Sequence, residues 1–205
     1  MKRSIKFRAF REEDHVLLNK WRNDEDIQHL VGRYFRYVSL EMEREWVKKV
    51  MLDNTVNIYL AICLNDESEQ IIGYTSLNDI NYHDRTAITG GLVIGEKSQR
   101  DANIIIDFYL MLYDYAFNQL NMNRLYGYCL ESHKSTIRMA CMMGHVVEGV
   151  SRQAIFKNGD YQDLINLAIL KEDYQKLQNA GGYEFKEIIK RLTKIKKEGY
   201  LKKHF

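Results

Sequence analysis

The sequence predicts a mixed α/β layer fold, with elements in the order β-α-α-β-β-β-α-β-α-β-β, flanking helices and a basic amphipathic helix at the C-terminus. Three observations carry that prediction. Stretches with apolar residues at every second position alternate with stretches where they recur every three or four, the periods of strand and helix. A strand closing on Leu92, Val93, Ile94 and Gly95 passes through a short turn directly into a long apolar helix. Lys157-Asn158-Gly159-Asp160 lies between two long apolar runs, and Asn-Gly is the strongest short hairpin signal.

The elements follow in order. Residues 4–11 alternate Ile5, Phe7 and Ala9 with polar residues, a half-buried strand. From Glu12 the spacing of Val16, Leu17 and Trp21 fits a helix face that breaks at Arg22-Asn23-Asp24, and Ile27, Leu30 and Val31 form a second helical turn before Gly32. Residues 33–37 are an aromatic, basic loop. Ser39 is a good N-cap for a helix whose apolar stripe is Met42, Trp46, Val47 and Val50. Residues 56–64 and 70–77 read as strands around a polar turn, and residues 81–85 turn the chain into the strand 86–95. A helix of about four turns spans 102–120. Residues 124–130 are a strand, 135–143 a helix stopped by Gly144, and 145–156 and 161–170 the closing hairpin. A break at Gly181-Gly182 precedes the tail, so residues 1–172 read as one domain and 173–205 as a helical extension.

Composition bounds the class. A chain of 205 residues with 45% apolar and 28% charged residues is a globular domain with an appendage. No apolar run approaches the roughly 18 residues of a membrane span. The start, Met1-Lys2-Arg3-Ser4-Ile5-Lys6, lacks the apolar core of a signal peptide, so a cytoplasmic location is the expectation. Cys63, Cys129 and Cys141 are odd in number, widely spaced and set in apolar stretches, as reduced buried thiols and not as a disulfide frame or a metal site. Residues 184–205 carry eight Lys/Arg against three Glu, a net of +5; the whole chain is +2, so residues 1–183 are about −3. A mildly acidic body argues against nucleic-acid binding, which wants positive charge on the folded face.

Four stretches share a further pattern: Lys20-Trp21-Arg22-Asn23-Asp24, Tyr115-Ala116-Phe117 with Leu120 to Leu125 after it, Met143-Gly144-His145-Val146-Val147-Glu148-Gly149, and Ile155-Phe156-Lys157-Asn158-Gly159-Asp160-Tyr161-Gln162-Asp163. In order and spacing they resemble the W-R-N-D, Y-A-F…L-x-x-x-R-[LV], L-G-F-x-x-E-G and F-x-N-G-x-Y-x-D motifs of the GNAT acetyltransferase superfamily, in its branch acting on ribosomal-protein N-termini, polyamines and amino sugars. The resemblance covers about residues 3–172. It implies transfer of an acetyl group from acetyl-CoA, the co-substrate, to a primary amine on a small molecule, an amino sugar or a peptide. It also implies that the strand through Leu92, Val93 and Ile94 splays from the strand 124–130 and pairs with pantetheine, while the start of the 102–120 helix takes the pyrophosphate. Gln99, Arg100, Asp101, Ala102, Asn103 and Ile104 would line that phosphate end, with His133 near the thiol. A base or water would deprotonate the amine, a backbone N–H would polarise the carbonyl, and an acid would protonate the thiolate. The loop with Tyr34, Phe35 and Tyr37 would lie over the amine, or its aromatics simply pack under the loop, and Tyr82 would close the same pocket or stand in a solvated hairpin turn.

The sequence departs from the family pattern at three places. The loop Q/R-x-x-G-x-G/A becomes Gln99 with Ala102 and Ile104, or, counted back from Tyr115, Arg100 with Asn103 and Ile105; both small positions are altered. Asp101 stands where its carboxylate can cap the helix itself. The E-N-x-x-A-x-x-x-Y stretch becomes Ser132, His133, Thr136 and Ala140, without the tyrosine that commonly protonates CoA, and the acidic residue of the preceding strand falls at Thr89. His133 then reads either as a donor or acid near the thiol or as a polar residue ahead of a helix, and Cys141 either as a group near the thioester or as a buried structural thiol. A second functional reading follows from the same departures: a binding or regulatory subunit of this fold without acetyl-CoA chemistry. Phe185, Ile188, Ile189, Leu192 and Ile195 recur at helical spacing opposite lysines. Burying each is worth roughly 1.5–3 kcal/mol, so the helix is expected to dock on its own domain or on a second subunit in a homodimer, as against a membrane-seeking or partner-seeking tail.

Overall fold

Seven strands form one mixed sheet in the computed structural model, which describes residues 3–32 and 35–199. They are β1 (Ile5–Arg8), β2 (Ile58–Leu64), β3 (Ile71–Asn81), β4 (Thr86–Ile94), β5 (Arg124–Leu130), β6 (Val146–Lys157) and β7 (Asp160–Leu170), in the spatial order β1-β2-β3-β4-β5-β7-β6. Between β1 and β2 run α1 (His15–Arg22), α2 (Glu25–Leu30) and α3 (Leu40–Met51), so the turn around Ile27 is a helix in its own right. Further on come α4 (Ala102–Tyr113), continued by a π turn Asp114–Gln119, and α5 (Lys134–Met142). The chain closes with α6 (Lys171–Asn179) and α7 (Phe185–Glu198).

Alternation along the strands sorts the helices into two layers. Ala61 and Cys63 of β2 pack with Leu18, Trp21 and Val47 of α1 and α3. Their neighbours Leu60 and Ile62 join Ile104, Phe108, Leu112 and Phe117 on the opposite face. That second cluster extends to Met142 and Met143, to Tyr174 and to Ile188, so the C-terminal residues 173–198 share the core of the sheet.

Two expectations shift by a residue or more. The first strand ends at Arg8 rather than Arg11 because Asp14 pulls the chain away: its carboxylate accepts from Arg8 Nη1 and Nη2 at 2.7 and 2.8 Å and from the Arg11 N–H at 2.7 Å. Ser39 caps α3 as expected, accepting from Met42 N–H, but Met42 faces solvent and Glu43 turns inward, 1% exposed, where Arg22 Nε meets it at 2.9 Å. The tail docks as an ordered helix on the domain. Ile188 is fully buried, Leu192 and Ile195 pack against the core, and Arg191 Nε donates to the Met142 carbonyl at 2.8 Å. Phe185 and Ile189, expected in the same stripe, remain exposed. Among the described residues no helix is long and apolar enough to cross a membrane.

Candidate active site

β4 and β5 are parallel neighbours that pair only over Thr86–Ile88 and Arg124–Tyr126. Beyond those three register positions they part, so the β5-facing edge of β4 from Thr89 to Ile94 has no strand partner among the described residues, while β3 satisfies the other edge. A bulge helps turn β4 away. Ser76 of β3 faces both Gly90 and Gly91, and Gly91 has φ +83, a conformation open to glycine. Thr75 Oγ1 holds the bulge by donating to the Gly91 carbonyl at 2.8 Å. The Gly-Gly pair inside a strand was the available sequence signal for this bulge.

Four consecutive residues of α1 and its exit build the frame behind this wedge. Trp21, 3% exposed, lies against Gly95 so closely that a Cβ there would stand 2.0 Å from the indole. Arg22 joins Glu43 and covers the Trp46 ring at 4.6 Å; burial pushes the Glu43 carboxyl up, and Arg22 works against that rise. Asn23 accepts from the Val38 N–H at 2.9 Å and donates to its carbonyl at 2.8 Å, which Asn19 also bonds. Asp24 caps α2 through the Ile27 N–H and meets Lys97 of the β4–α4 turn at 3.2 Å. Each residue thus fixes a different segment around the wedge.

At the joint, Asp101 is the N-cap of α4 and accepts from the Asn103 N–H at 2.6 Å. Ala102 and Ile104 have no hydrogen-bond acceptor for their N–H groups among the described residues, as first-turn amides. Gln99, Arg100, Ala102 and Asn103 reach the surface, and Arg100 Nε donates to the Ile94 carbonyl at 3.1 Å. Ile104 is 5% exposed and belongs to the core; what it offers this joint is its amide, not its side chain. Ile94 likewise faces the core, and Leu92 and Val93 pack on opposite faces, so β4 presents backbone to the wedge.

A cavity of about 570 Å³ opens at the C-terminal end of β5. Leu130, Glu131, Ser132 and His133 form one wall, the β6–β7 hairpin with Lys157, Asp160, Tyr161 and Asp163 another, and His29 of α2 a third. Asn158 and Gly159 at the hairpin tip have φ +55 and +86, the left-handed pair that Asn-Gly supplies. Lys157, 7% exposed, donates from Nζ to the carbonyls of Gln28 at 3.0 Å, His29 at 3.3 Å and Val31. Burial lowers its ammonium pKa. Burial, and secondarily Lys157, also lower the His133 pKa, while a hydrogen bond to the His29 backbone raises it. The imidazole is therefore neutral near pH 7, and one nitrogen stays free to accept a proton.

The other expected site residues lie elsewhere. Cys141 packs behind the sheet with Tyr109, Cys129 and Val147, its thiol pushed up to about 11 by burial; the structure does not bring it to the cavity beside His133. Tyr82 lies in the β3–β4 turn near Tyr115. Antiparallel pairing puts that turn at the start of β4, the end opposite the open wedge, so Tyr82 does not close the pocket. Phe35 and Tyr37 stand edge to face at 4.5 Å in the exposed segment between α2 and α3, and Tyr34 lies outside the described residues. Lys157 and Asp163, read from sequence only as parts of the hairpin, are cavity residues; their signal was the F-x-N-G-x-Y-x-D stretch itself.

The family model described as "Acetyltransferase (GNAT) domain" matches residues 7–166. The spermidine N(1)-acetyltransferase of Vibrio cholerae is 25% identical over 177 residues, spanning 85% of this chain and 97% of its own. The crystal structure of spermidine N-acetyltransferase from Vibrio cholerae in complex with CoA and spermine has a TM-score of 0.76 at 24% identity, covering 84% of this chain and 98% of that one. A dodecameric structure of the Vibrio cholerae enzyme in an intermediate state has a TM-score of 0.70 at 22% identity, over 83% and 96%.

Proposed function

The chain belongs to the GNAT acetyltransferase family, acyltransferases that move an acetyl group from acetyl-CoA to a primary amine, and from that premise we propose that its acceptor is a polyamine of the spermidine class. The observation that carries the proposal is the charge of the cavity. Glu131, Asp160 and Asp163 line it, and its one lysine has its ammonium committed to the carbonyls of Gln28, His29 and Val31. A long, flexible polycation gains from such a wall, whereas a phosphorylated sugar is repelled by it.

The chain's residues fit acetyl-CoA along most of its length. The β5-facing backbone edge of β4 beyond Ile88 suits an extended arm bearing amides, and the Ala102 and Ile104 N–H groups suit a pyrophosphate. Asp101 sets a carboxylate beside that end, with Arg100 adjacent to offset it. Acetyl-CoA supplies the activated thioester. The amine must lose a proton before its lone pair can attack the carbonyl carbon, and the C–S bond then breaks as the thiolate leaves. His133, held neutral and lining the cavity, is suited to take the proton from the amine directly or through water. The dodecameric relative and the exposed Tyr128, Val146 and Val150 support self-association of this chain as well.

Purified protein with acetyl-CoA should release thiol and acetylate spermidine with a kcat/KM at least about tenfold above that for an amino-sugar phosphate or a neutral peptide amine. Absence of spermidine turnover under conditions where another amine is acetylated would defeat the polyamine reading and leave the family assignment standing. Absence of acetyl-CoA binding by calorimetry would instead favour the binding or regulatory reading.

A further inference from the structure

We propose that α7 docks this protein on an anionic membrane surface, by a face that the domain leaves uncovered. The helix lies beyond the matched family domain, which ends at residue 166, and 85% of this chain already spans 97% of the Vibrio cholerae relative. Its contacts with the core take one side only. At about 100° per residue, Ile195, Ile188 and Leu192 fall within about 60° of one another and pack on the domain. The adjoining side carries Phe185, Lys196 and Ile189 within about 40°, followed over about the next 100° by Lys186, Lys197 and Lys190. All six are exposed. Lys190 pairs with Glu187 of the same helix, whereas Lys186, Lys196 and Lys197 have no ion pair among the described residues. Residues 185–198 hold six Lys/Arg against two Glu, a net of +4, while residues 1–183 sum to about −3. An anionic surface repels such a body and turns α7 toward itself.

The residue types choose among anionic partners. Arg191, the one arginine of the helix, is turned inward to the Met142 carbonyl, so the exposed face has lysines alone. Lysine lacks the planar fork that reads a phosphate or carboxylate through two bonds, and it is depleted in protein interfaces. Two large apolar side chains one turn apart gain nothing from a phosphate backbone, but they enter the boundary between headgroups and acyl chains. Lysines around such a pair suit the diffuse field of anionic lipid. The cavity sits at the other end of α5, roughly 13 Å along that helix from the Met142 contact, and none of its lining residues belongs to α7.

The full chain should sediment with vesicles of equal phosphatidylcholine and phosphatidylglycerol at least about tenfold more tightly than with phosphatidylcholine alone. Raising the salt from about 0.1 M to about 0.5 M should remove most of that difference. Each lysine near such a surface is worth about fivefold, so Lys186→Gln, Lys196→Gln and Lys197→Gln together should weaken binding by about a hundredfold. Phe185→Ser with Ile189→Ser keeps every charge and should weaken it by at least about tenfold. Both variants alter exposed side chains only, so the urea midpoint and acetyl transfer in solution should match wild type. Equal binding to the two kinds of vesicle overturns the proposal. So does anionic binding that survives either variant; survival in Phe185→Ser with Ile189→Ser would mark a general attraction of lysines to anions. Tighter binding to polyuridylate RNA than to the vesicles, undiminished in that same variant, would assign the face to nucleic acid instead. These outcomes are the same whichever amine the enzyme acetylates.

Discussion

Asp101 caps α4 with a carboxylate whose charge would oppose an anionic ligand at the same helix end. As N-cap of α4 it satisfies the Asn103 amide, and as an anion it stands where a pyrophosphate would seek that helix end. Asn caps about as well as Asp and has no charge, so Asp101→Asn should leave stability nearly unchanged. It should tighten CoA binding by roughly 0.5–1 kcal/mol, an effect that shrinks with added salt. Calorimetric titration of CoA into both proteins checks it; an equal or weaker affinity in the variant would show that the phosphates do not approach this carboxylate. The cap was legible in the sequence because capping is local. For Tyr82 the sequence left a solvated turn and a pocket wall both open, because which end of β4 opens depends on pairing with β5, whose residues begin some forty positions later. Lys157 and Val31 are 126 positions apart, and their contact has no sequence signature.

At the scale of elements, α7 shows how an amphipathic stripe divides. Five apolar residues share helical spacing, yet Ile188 is fully buried and Ile189 is 41% exposed. Arg191 and Tyr183 set that rotation by bonding the carbonyls of Met142 and Met143 at the end of α5. Ile188→Ala should cost about 3 kcal/mol in chemical denaturation, the usual loss for a large aliphatic in a packed core. Ile189→Ala should stay within about 0.5 kcal/mol. Equal effects would place the helix in another rotation or against another surface. The seven strands and the hairpin were readable from periodicity and Asn-Gly chemistry, though the end of β1 and the standing of α2 as a separate helix were not. Nor was the rotation of α3, because a buried Glu43 is tolerated only through Arg22, and no periodicity rule anticipates a carboxylate inside.

Taken as a whole, the molecule stores a pH response in its aromatic interior. His145 is enclosed by Tyr109 and Tyr113, with Nδ1 3.0 Å from the Tyr113 hydroxyl, and burial lowers its pKa from 6.5 to about 4. The folded state therefore prefers the neutral ring. Its contribution to stability is complete above pH 6.5 and is lost as pH falls toward 4, where the unfolded chain takes a proton that the folded chain resists; the loss approaches about 3 kcal/mol. Urea midpoints measured at about pH 7 and pH 4.5 should fall less in His145→Gln than in wild type. A parallel fall in both would assign the acid sensitivity to carboxylates.

The sparse union of β4 with β5 carries a last consequence. Three register positions join the two halves of the sheet, against seven between β5 and β7. A seam so short makes the opening a natural place for the sheet to flex. An extended molecule lying along the free edge of β4 would act as a missing rung, stitching one half to the other. Because such a guest binds only the folded chain, each hundredfold excess over its Kd adds about 2.7 kcal/mol of resistance to unfolding. Acetyl-CoA lying along that edge should therefore raise the urea midpoint and slow limited proteolysis of this chain, and unchanged protection at saturating donor would show that no such rung forms.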